Sequence, residues 1–274
     1  MENTGIDNVT EGDLLAEQRG HVGVLTFNRP KQHNALTPSL LLSLCDVLGK
    51  WAASGEVRVV VLTGAGNKAF SAGYDIRSIE TVGPEHGEEI ELGVHKTPFE
   101  QALNAVKNFP YPTIAMINGY CFGGALHMAL CCDLRVGANS IAMGMPPAKL
   151  GVVYAPDGVT QFISVLGAAK AREMFFTGRT YKGNDIVTMG LVGQLVAAGQ
   201  LKDTVLSLAE EIAGNAPLAL KGIKRIMNLL EQPALSREDE AEADALVAES
   251  FSSADLKEGQ AAFLERRKPV FLGE

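Results

Sequence analysis

A run of twenty residues without a formal charge, Thr113 to Cys132, places the strongest constraint on what this chain can fold into. A stretch of that length and polarity could cross a lipid bilayer. It also contains Asn118, a glycine pair at 123–124 and His127. These residues fit a buried strand (TIAMI), a glycine turn and the start of a buried helix better than a single span. We therefore expect no membrane partner.

A second apolar run with the same organisation precedes it. The segment VRVVVLTG is mostly apolar apart from Arg58 and Thr63, which is typical of a parallel strand covered on both faces. It leads into the glycine-rich loop GAGNKAFSAGYDI. Thr37 with Pro38 at the first helical position predicts a helix start, and from about Pro217 the pattern becomes wholly helical. We predict an α/β core over residues 1–216 and an all-helical region over 217–274.

Composition excludes several classes of protein. The chain is 46% hydrophobic and 20% charged, with a net charge of −8, so neither disorder nor nucleic-acid binding is favoured. Its four cysteines (Cys45, Cys121, Cys131 and Cys132) form no CxxC pair and predict reduced thiols rather than a metal site. The N-terminal segment is polar and acidic and lacks the features of a signal peptide, which favours a cytoplasmic protein.

Five segments in order resemble landmarks of the crotonase, or enoyl-CoA hydratase/isomerase, superfamily. They are FNRPKQHNAL (27–36), KAFSAGYDI (68–76), INGYCFGGALHMALCCDLRV (117–136), KLGVVYAPDG (149–158) and AFLERRKPVF (262–271). The resemblance implies a spiral of β/α repeats followed by a helical trimerisation region, assembled as a homotrimer or hexamer. It also implies a thioester of coenzyme A as ligand, with no cofactor besides the coenzyme A of the substrate.

The two glycine turns supply a chemical reason for that ligand. Glycines let the backbone approach a ligand closely, and unpaired N–H groups at a helix start stabilise developing negative charge. Two such groups could hold a thioester oxygen as it becomes an enolate. By resemblance these are the amides of Tyr74 and Gly124. The alternative is that both loops are only tight turns.

The resemblance also implies where coenzyme A would bind. Lys31 corresponds to the phosphate and adenine side, and Phe263 and Arg266 to C-terminal positions that close on the coenzyme, often from a neighbouring subunit. A solvated surface charge is the alternative for Lys31 and Arg266. The adenine and pantetheine path is implied for Ala72, Gly73, Asp75 and Ile76. Asp75 could instead fix the loop that follows the first amide donor.

The sequence departs from the family pattern at the positions that carry acid and base. Hydratases of this family use two glutamates on one water, and here His127 and Pro147 stand in their places. Tyr154 resembles a tyrosine of the methylmalonyl-CoA decarboxylase branch, although that branch typically has His at Tyr74 and Glu at His127. His127 is either a proton donor or a core histidine, and Asp157 either a turn residue or a pocket acid. Tyr154 could also be purely structural.

Three functions follow from these observations. The favoured one is decarboxylation of a small 2-carboxyacyl-CoA, because the amide pair withdraws electrons and a tyrosine hydroxyl can hold the departing carboxylate. The second is a hydratase, isomerase or hydrolase in which His127 and Asp157 replace the usual acid and base. The third is a non-catalytic acyl-CoA binder. Loss of CO2, gain of water or binding without turnover would distinguish them.

Overall fold

The computed structural model describes residues 8–9, 12–75, 97–230, 241, 245, 248, 251–267 and 269–270. Ile76, one of the residues expected to line the coenzyme path, lies outside this range. The strands run, in chain order, as β1 (Asn8–Val9), β2 (Leu14–Arg19), β3 (Val22–Phe27), β4 (Val59–Gly64), β5 (Ala69–Ser71), β6 (Thr113–Ile117), β7 (Tyr120–Phe122), β8 (Leu134–Ala138), β9 (Ala142–Gly144), β10 (Thr180–Lys182) and β11 (Gln194–Val196).

The described strands form two sheets. The larger has the order β1-β2-β3-β4-β6-β8-β11, and the smaller has the order β10-β9-β7-β5. From β3 to β11 every neighbouring pair of the larger sheet is parallel, whereas β1, β2 and β3 pair antiparallel. Strand β4 is buried along its whole length and pairs on both edges, as its unbroken apolar sequence predicts.

Helices cover the sheets. Their bounds are α1 (Pro38–Ser54), α2 (Pro98–Lys107), α3 (Gly124–Cys131), α4 (Pro156–Leu166), α5 (Ala168–Thr177), α6 (Asn184–Met189), α7 (Leu201–Ala213), α8 (Pro217–Leu230) and α9 (Ala254–Glu265). The Thr37 side chain caps α1 by accepting from the Leu40 amide, as the Thr-Pro pair predicts. Ser253 caps α9 in the same way. The predicted α/β fold class is confirmed.

The uncharged run divides into strand, turn and helix. Residues 113–117 form β6, 120–122 form β7 and 124–131 form α3. Gly123, which precedes α3, has φ +55°, a left-handed conformation that favours glycine. Within the described part of the chain, no helix is long and apolar enough to cross a membrane. Residues 113–117 and 125–132 of the run are buried, which accounts for its apolar character.

Helices α8 and α9 are held on the core by specific contacts. Lys224 of α8 is 6% exposed, and its Nζ lies 2.7 Å from Asp133 Oδ2 and 3.0 Å from the Tyr111 carbonyl oxygen. A methyl group on Gly259 of α9 would lie 2.5 Å from the Leu150 carbonyl oxygen. Helix α9 therefore packs against the 3-10 turn at Pro147–Leu150, which leads towards the acyl end of the predicted site.

Candidate active site

The two predicted amide donors lie next to each other. A methyl group built on Gly124 would be 3.4 Å from the Tyr74 amide nitrogen. By covalent geometry the two nitrogens then lie within about 6 Å of each other. Two hydrogen bonds of about 3 Å to one oxygen require a spacing no larger than this. The structure therefore brings these backbone groups to a common point.

Local pairing leaves both amides available. The bridge between Leu36 and Tyr74 uses a bond from the Leu36 amide to the Gly73 carbonyl and one from the Asp75 amide to the Leu36 carbonyl. It does not use the Tyr74 amide. The Gly124 amide belongs to the first turn of α3, whose N–H groups have no partner within the helix. Neither amide donates to another group among the described residues.

Gly73 is needed for this approach. Its φ is +104°, and a methyl group there would lie 2.7 Å from the Phe122 carbonyl oxygen and 3.4 Å from the Gly124 amide nitrogen. Any side chain at residue 73 would therefore strain the backbone and push the two loops apart. The glycine-rich pattern was a correct local signal for a close approach of backbones.

Asp75 contributes to the shape of the first loop. The residue is buried, and its carboxylate lies 3.6 Å from the guanidinium of Arg29. Arg29 also donates to the Ala35 carbonyl, and its amide donates to the side chain of buried Asn34. Asn34 in turn donates to the carbonyl oxygens of residues 65 and 69. These contacts favour the loop-fixing interpretation of Asp75.

His127 and Tyr154 meet beside the amide pair. His127 lies three residues after Gly124 in α3, so both occupy one helix face. Its Nδ1 lies 2.9 Å from the Tyr154 hydroxyl oxygen. We call these two residues the His–Tyr pair. Phe99 connects the pair to the amide site, because its ring lies 5.9 Å from that of His127 and 5.8 Å from that of Tyr74.

The surroundings keep the imidazole of His127 neutral. The residue is 5% exposed, and burial followed by the positive charge of Lys107 lowers its pKa from 6.5 to about 3. The Lys107 Nζ lies 2.7 Å from Gln161 Oε1, and Gln161 donates to the Leu130 carbonyl. Burial raises the pKa of Tyr154, so its hydroxyl stays protonated at neutral pH. Sequence analysis missed Lys107 because no motif marks it.

The His–Tyr pair is packed among aromatic rings. The ring of Phe162 lies 5.9 Å from His127 and 6.3 Å from Tyr154, and Phe175 lies 5.7 Å from Tyr154. A methyl group at Gly158 would overlap the Tyr154 ring and lie 3.1 Å from His127 Cε1. Glycine at this position therefore allows α4 to close on the pair. The environment on these sides is apolar.

The remaining acyl-end candidates differ from one another. Pro147 is buried at the start of its 3-10 turn and offers no titratable group. Asp157 lies in the first turn of α4 and is exposed, although it is only three residues from Tyr154. The exposed position suits a turn residue. Whether Asp157 acts in chemistry stays a prediction.

A groove of about 300 Å³ is lined by residues of the segments 30–34 and 65–69, and the second of these segments belongs to the glycine-rich loop. Lys31 lines it, as do His33 and Lys68, and all three are exposed. The amide of neighbouring Ala72 donates to the His33 carbonyl. The resemblance points to Lys31 but not to His33 or Lys68, although both stand inside the quoted motifs. Their positive charge or polarity suits the phosphates of a nucleotide.

The C-terminal candidates face solvent. Phe263 is 59% exposed on α9, and Arg266 ends that helix in a left-handed conformation with φ +56°. The neighbouring Arg267 pairs with Glu258 and Glu265. Contact between Phe263 or Arg266 and the coenzyme stays a prediction, and it requires a neighbouring subunit if the resemblance holds.

Comparison with known proteins shows the family of this chain. The sequence profile of the family described as enoyl-CoA hydratase/isomerase matches residues 17–274. The putative enoyl-CoA hydratase of Thermus thermophilus is 37% identical over 262 residues, which cover 94% of this chain and 100% of the relative. The short-chain-enoyl-CoA hydratase of Clostridium acetobutylicum is 31% identical over 256 residues, with 93% and 96% covered.

Solved structures agree with the sequence match. A methylmalonyl-CoA decarboxylase in complex with 2-nitronate-propionyl-CoA superimposes with a TM-score of 0.87 at 28% identity, covering 97% of this chain and 100% of that one. A carnitinyl-CoA hydratase from Mycobacterium avium gives a TM-score of 0.80 at 31% identity, with the same coverage. The predicted resemblance and its fold are therefore confirmed.

Proposed function

The chain belongs to the enoyl-CoA hydratase/isomerase family and is an acyl-CoA enzyme of that family, and we propose that its reaction is the decarboxylation of a small 2-carboxyacyl-CoA. The observation that carries this proposal is the hydrogen bond between Tyr154 and a neutral His127 beside the amide pair. The two positions where hydratases carry glutamates are occupied by His127 and Pro147. The acyl end thus offers the neutral groups of His127 and Tyr154, and no carboxylate at either position where a hydratase carries one.

The proposed reaction needs electron withdrawal and no base. The bond between C2 and the carboxylate carbon breaks, CO2 leaves, and the electron pair moves into the thioester to form an enolate. The amides of Tyr74 and Gly124 hold the enolate oxygen, and donors of this kind are typically worth about 10²–10³ in kcat each. A proton from water then adds to C2 and gives the product thioester.

Tyr154 is assigned to the departing carboxylate. Its protonated hydroxyl can donate one hydrogen bond to a carboxylate held out of the thioester plane. The apolar rings of Phe99 and Phe162 both lie next to His127. An apolar environment disfavours the charged carboxylate relative to neutral CO2. With a pKa of about 3, His127 is not protonated at neutral pH, so it is not itself an acid in this scheme.

Coenzyme A is proposed to bind along the first loop. Lys31, Lys68 and His33 of the groove suit its phosphates, and the backbone at Ala72 and Gly73 leads from there to the amide pair. No further cofactor is required by this chemistry. Phe263 and Arg266 are assigned to the coenzyme of a neighbouring subunit.

The assembly is proposed to be a homotrimer or a hexamer. Helices α8 and α9 expose several large apolar side chains, and contiguous exposed apolar surface marks interaction sites. On α8 and after α9 these include Leu218, Ile223, Ile226, Met227, Leu230 and Val270. Light scattering at micromolar concentration should give a multiple of three chains, and a monomer would exclude this assembly.

Hydration of an enoyl-CoA is the second candidate. It is favoured by the names of the Thermus and Clostridium relatives, and exposed Asp157 would then act as an acid or base. Incubation with a panel of 2-carboxyacyl-CoAs and enoyl-CoAs, followed by mass spectrometry, separates the candidates. Loss of CO2 supports the decarboxylase. Gain of water on an enoyl-CoA with no CO2 release supports the hydratase, and tight binding without turnover supports a non-catalytic binder.

A further inference from the structure

The hydrogen bond of the His–Tyr pair can run in either of two directions, and the distance between its two atoms does not distinguish them. A neutral imidazole carries one proton, on either Nδ1 or Nε2, and a phenol carries one. If the Tyr154 hydroxyl donates to Nδ1, its oxygen can only accept from the pocket. If Nδ1–H donates to the Tyr154 oxygen, the hydroxyl proton is free to point at a ligand. The 2.9 Å contact fits both arrangements.

Only the second arrangement suits an anion. A carboxylate is an acceptor without a proton, so the hydroxyl must donate to it. Hydrogen bonds to charged acceptors are also the stronger ones, at about 1.5–3 kcal/mol against 0.5–1.5 for neutral pairs. An anionic acyl group would therefore favour the arrangement in which Nδ1 carries the proton.

The structure makes both arrangements accessible. His127 Nδ1 bonds to Tyr154, and none of the described residues hydrogen-bonds to Nε2. Nothing in the described part of the chain therefore fixes the tautomer through the far nitrogen, which is the usual way that proteins set it. The charged group facing the ring from α2 is Lys107, whose effect is to disfavour the imidazolium. The pair can exchange its proton arrangement while staying neutral.

We propose that His127 is a positioning residue that lets Tyr154 recognise the charge of the acyl group, with a substrate carboxylate selecting the Nδ1–H tautomer and turning the hydroxyl proton into the pocket. This inference rests on the proposed function, because it assumes that the acyl group ends at Tyr154. It assigns the preference for a 2-carboxyacyl-CoA over a neutral acyl-CoA to the pair, rather than to a positively charged side chain.

The direct test is nuclear magnetic resonance of the wild-type protein with ¹⁵N-labelled histidine. The chain has five histidines, and spectra of His127→Asn assign the signal of His127. The probe is 2-carboxypropyl-CoA, a thioether that has the carboxylate but cannot form an enolate, and the control ligand is propyl-CoA. We expect the carboxylate ligand to place the proton on Nδ1. With propyl-CoA, the histidine spectrum should stay the same as that of the ligand-free protein. A tautomer on Nε2 with both ligands, or an imidazolium, would overturn the inference.

Two variants give a kinetic readout. His127→Leu removes the donor, whereas the amide of His127→Asn retains one near the position of Nδ1. We expect kcat for CO2 release to fall about ten- to a hundredfold with leucine and to stay within about threefold with asparagine. The dissociation constant for propyl-CoA should change less than about twofold in both. Equal loss of kcat in the two variants, or none in either, would contradict the positioning role.

These measurements distinguish a failure of the role inferred for His127 from a failure of the proposed decarboxylation. If no 2-carboxyacyl-CoA loses CO2 but the tautomer still responds to the carboxylate ligand, the proposed reaction is wrong and recognition of charge by the pair is supported. If CO2 is released while the tautomer and the leucine variant show no response, the reaction is supported and the role of His127 is wrong.

Discussion

Burial of a neutral His127 should make the stability of this protein depend on pH in a defined way. The pKa of the imidazole is about 3 in the folded protein and about 6.5 in the unfolded chain. Between these values the unfolded state binds a proton that the folded state does not. Stability contributed by this residue is therefore present above pH 6.5 and is lost as the pH falls towards 3.

The size of the effect follows from the two pKa values. Between pH 7 and pH 5, protonation of the unfolded chain at this one residue lowers the free energy of unfolding by about 2 kcal/mol. Asparagine at position 127 does not titrate, so His127→Asn removes this contribution and leaves all other groups in place. The stability difference between wild type and variant should then shrink by about 2 kcal/mol over the same range.

Urea denaturation of both proteins at pH 7 and pH 5, at one protein concentration, measures that difference. Tyr154→Phe is the matched control, because it removes the hydroxyl and keeps the buried imidazole. We expect its unfolding free energy to follow the wild-type pH dependence. A wild-type and His127→Asn pair whose difference stays constant within about 0.5 kcal/mol would refute the assignment of a buried neutral histidine.

Other expected outcomes concern the amide site, the acyl end and the groove. Tyr154→Phe should lower the rate of CO2 release about ten- to a hundredfold with little change in thioester affinity, and an unchanged rate would contradict the decarboxylase assignment. Gly73→Ala forces a methyl group to 2.7 Å from a carbonyl oxygen, so urea denaturation should show a loss of about 1–3 kcal/mol and steady-state kinetics a loss of kcat. Lys31→Ala or Lys68→Ala should each raise KM about two- to fivefold at low salt and less at high salt. Lys50→Ala, on the solvent-exposed face of α1, is the matched control and should leave KM unchanged.

The parts of the fold that could be predicted are those set by local pattern. The unbroken apolar run of β4, the Thr-Pro start of α1 and the glycine turns each follow from a few adjacent residues. For these elements the decisive physics acts within a few residues of the chain. The approach of Tyr74 to Gly124 joins residues 50 positions apart, and it was expected from the family resemblance, while the glycines meet only the local requirement for contact between backbones.

The contacts that could not be predicted join residues far apart in sequence. Tyr154 and His127, both expected at the acyl end, are 27 positions apart, and the hydrogen bond between them depends on ring directions that neighbours from several elements set. Lys224 meets Asp133 across 91 positions, and a lysine on a helix ordinarily indicates a solvated face. The pKa of His127 depends first on burial and then on Lys107 of α2, which carries no pattern of its own. Tertiary packing, rather than local propensity, decides all of these.

The contact between α9 and the turn before Tyr154 has a mechanical consequence. Gly151 has φ +71°, and a methyl group there would lie 2.7 Å from the backbone of Asp255, while Gly259 meets the backbone of Leu150 from the other side. At both contacts, backbone packs directly against backbone with no side chain between them. Helix α9 therefore limits the movement of the segment that carries Tyr154. Enlarging either glycine should shift substrate preference at a distance, without altering a residue that touches the acyl group.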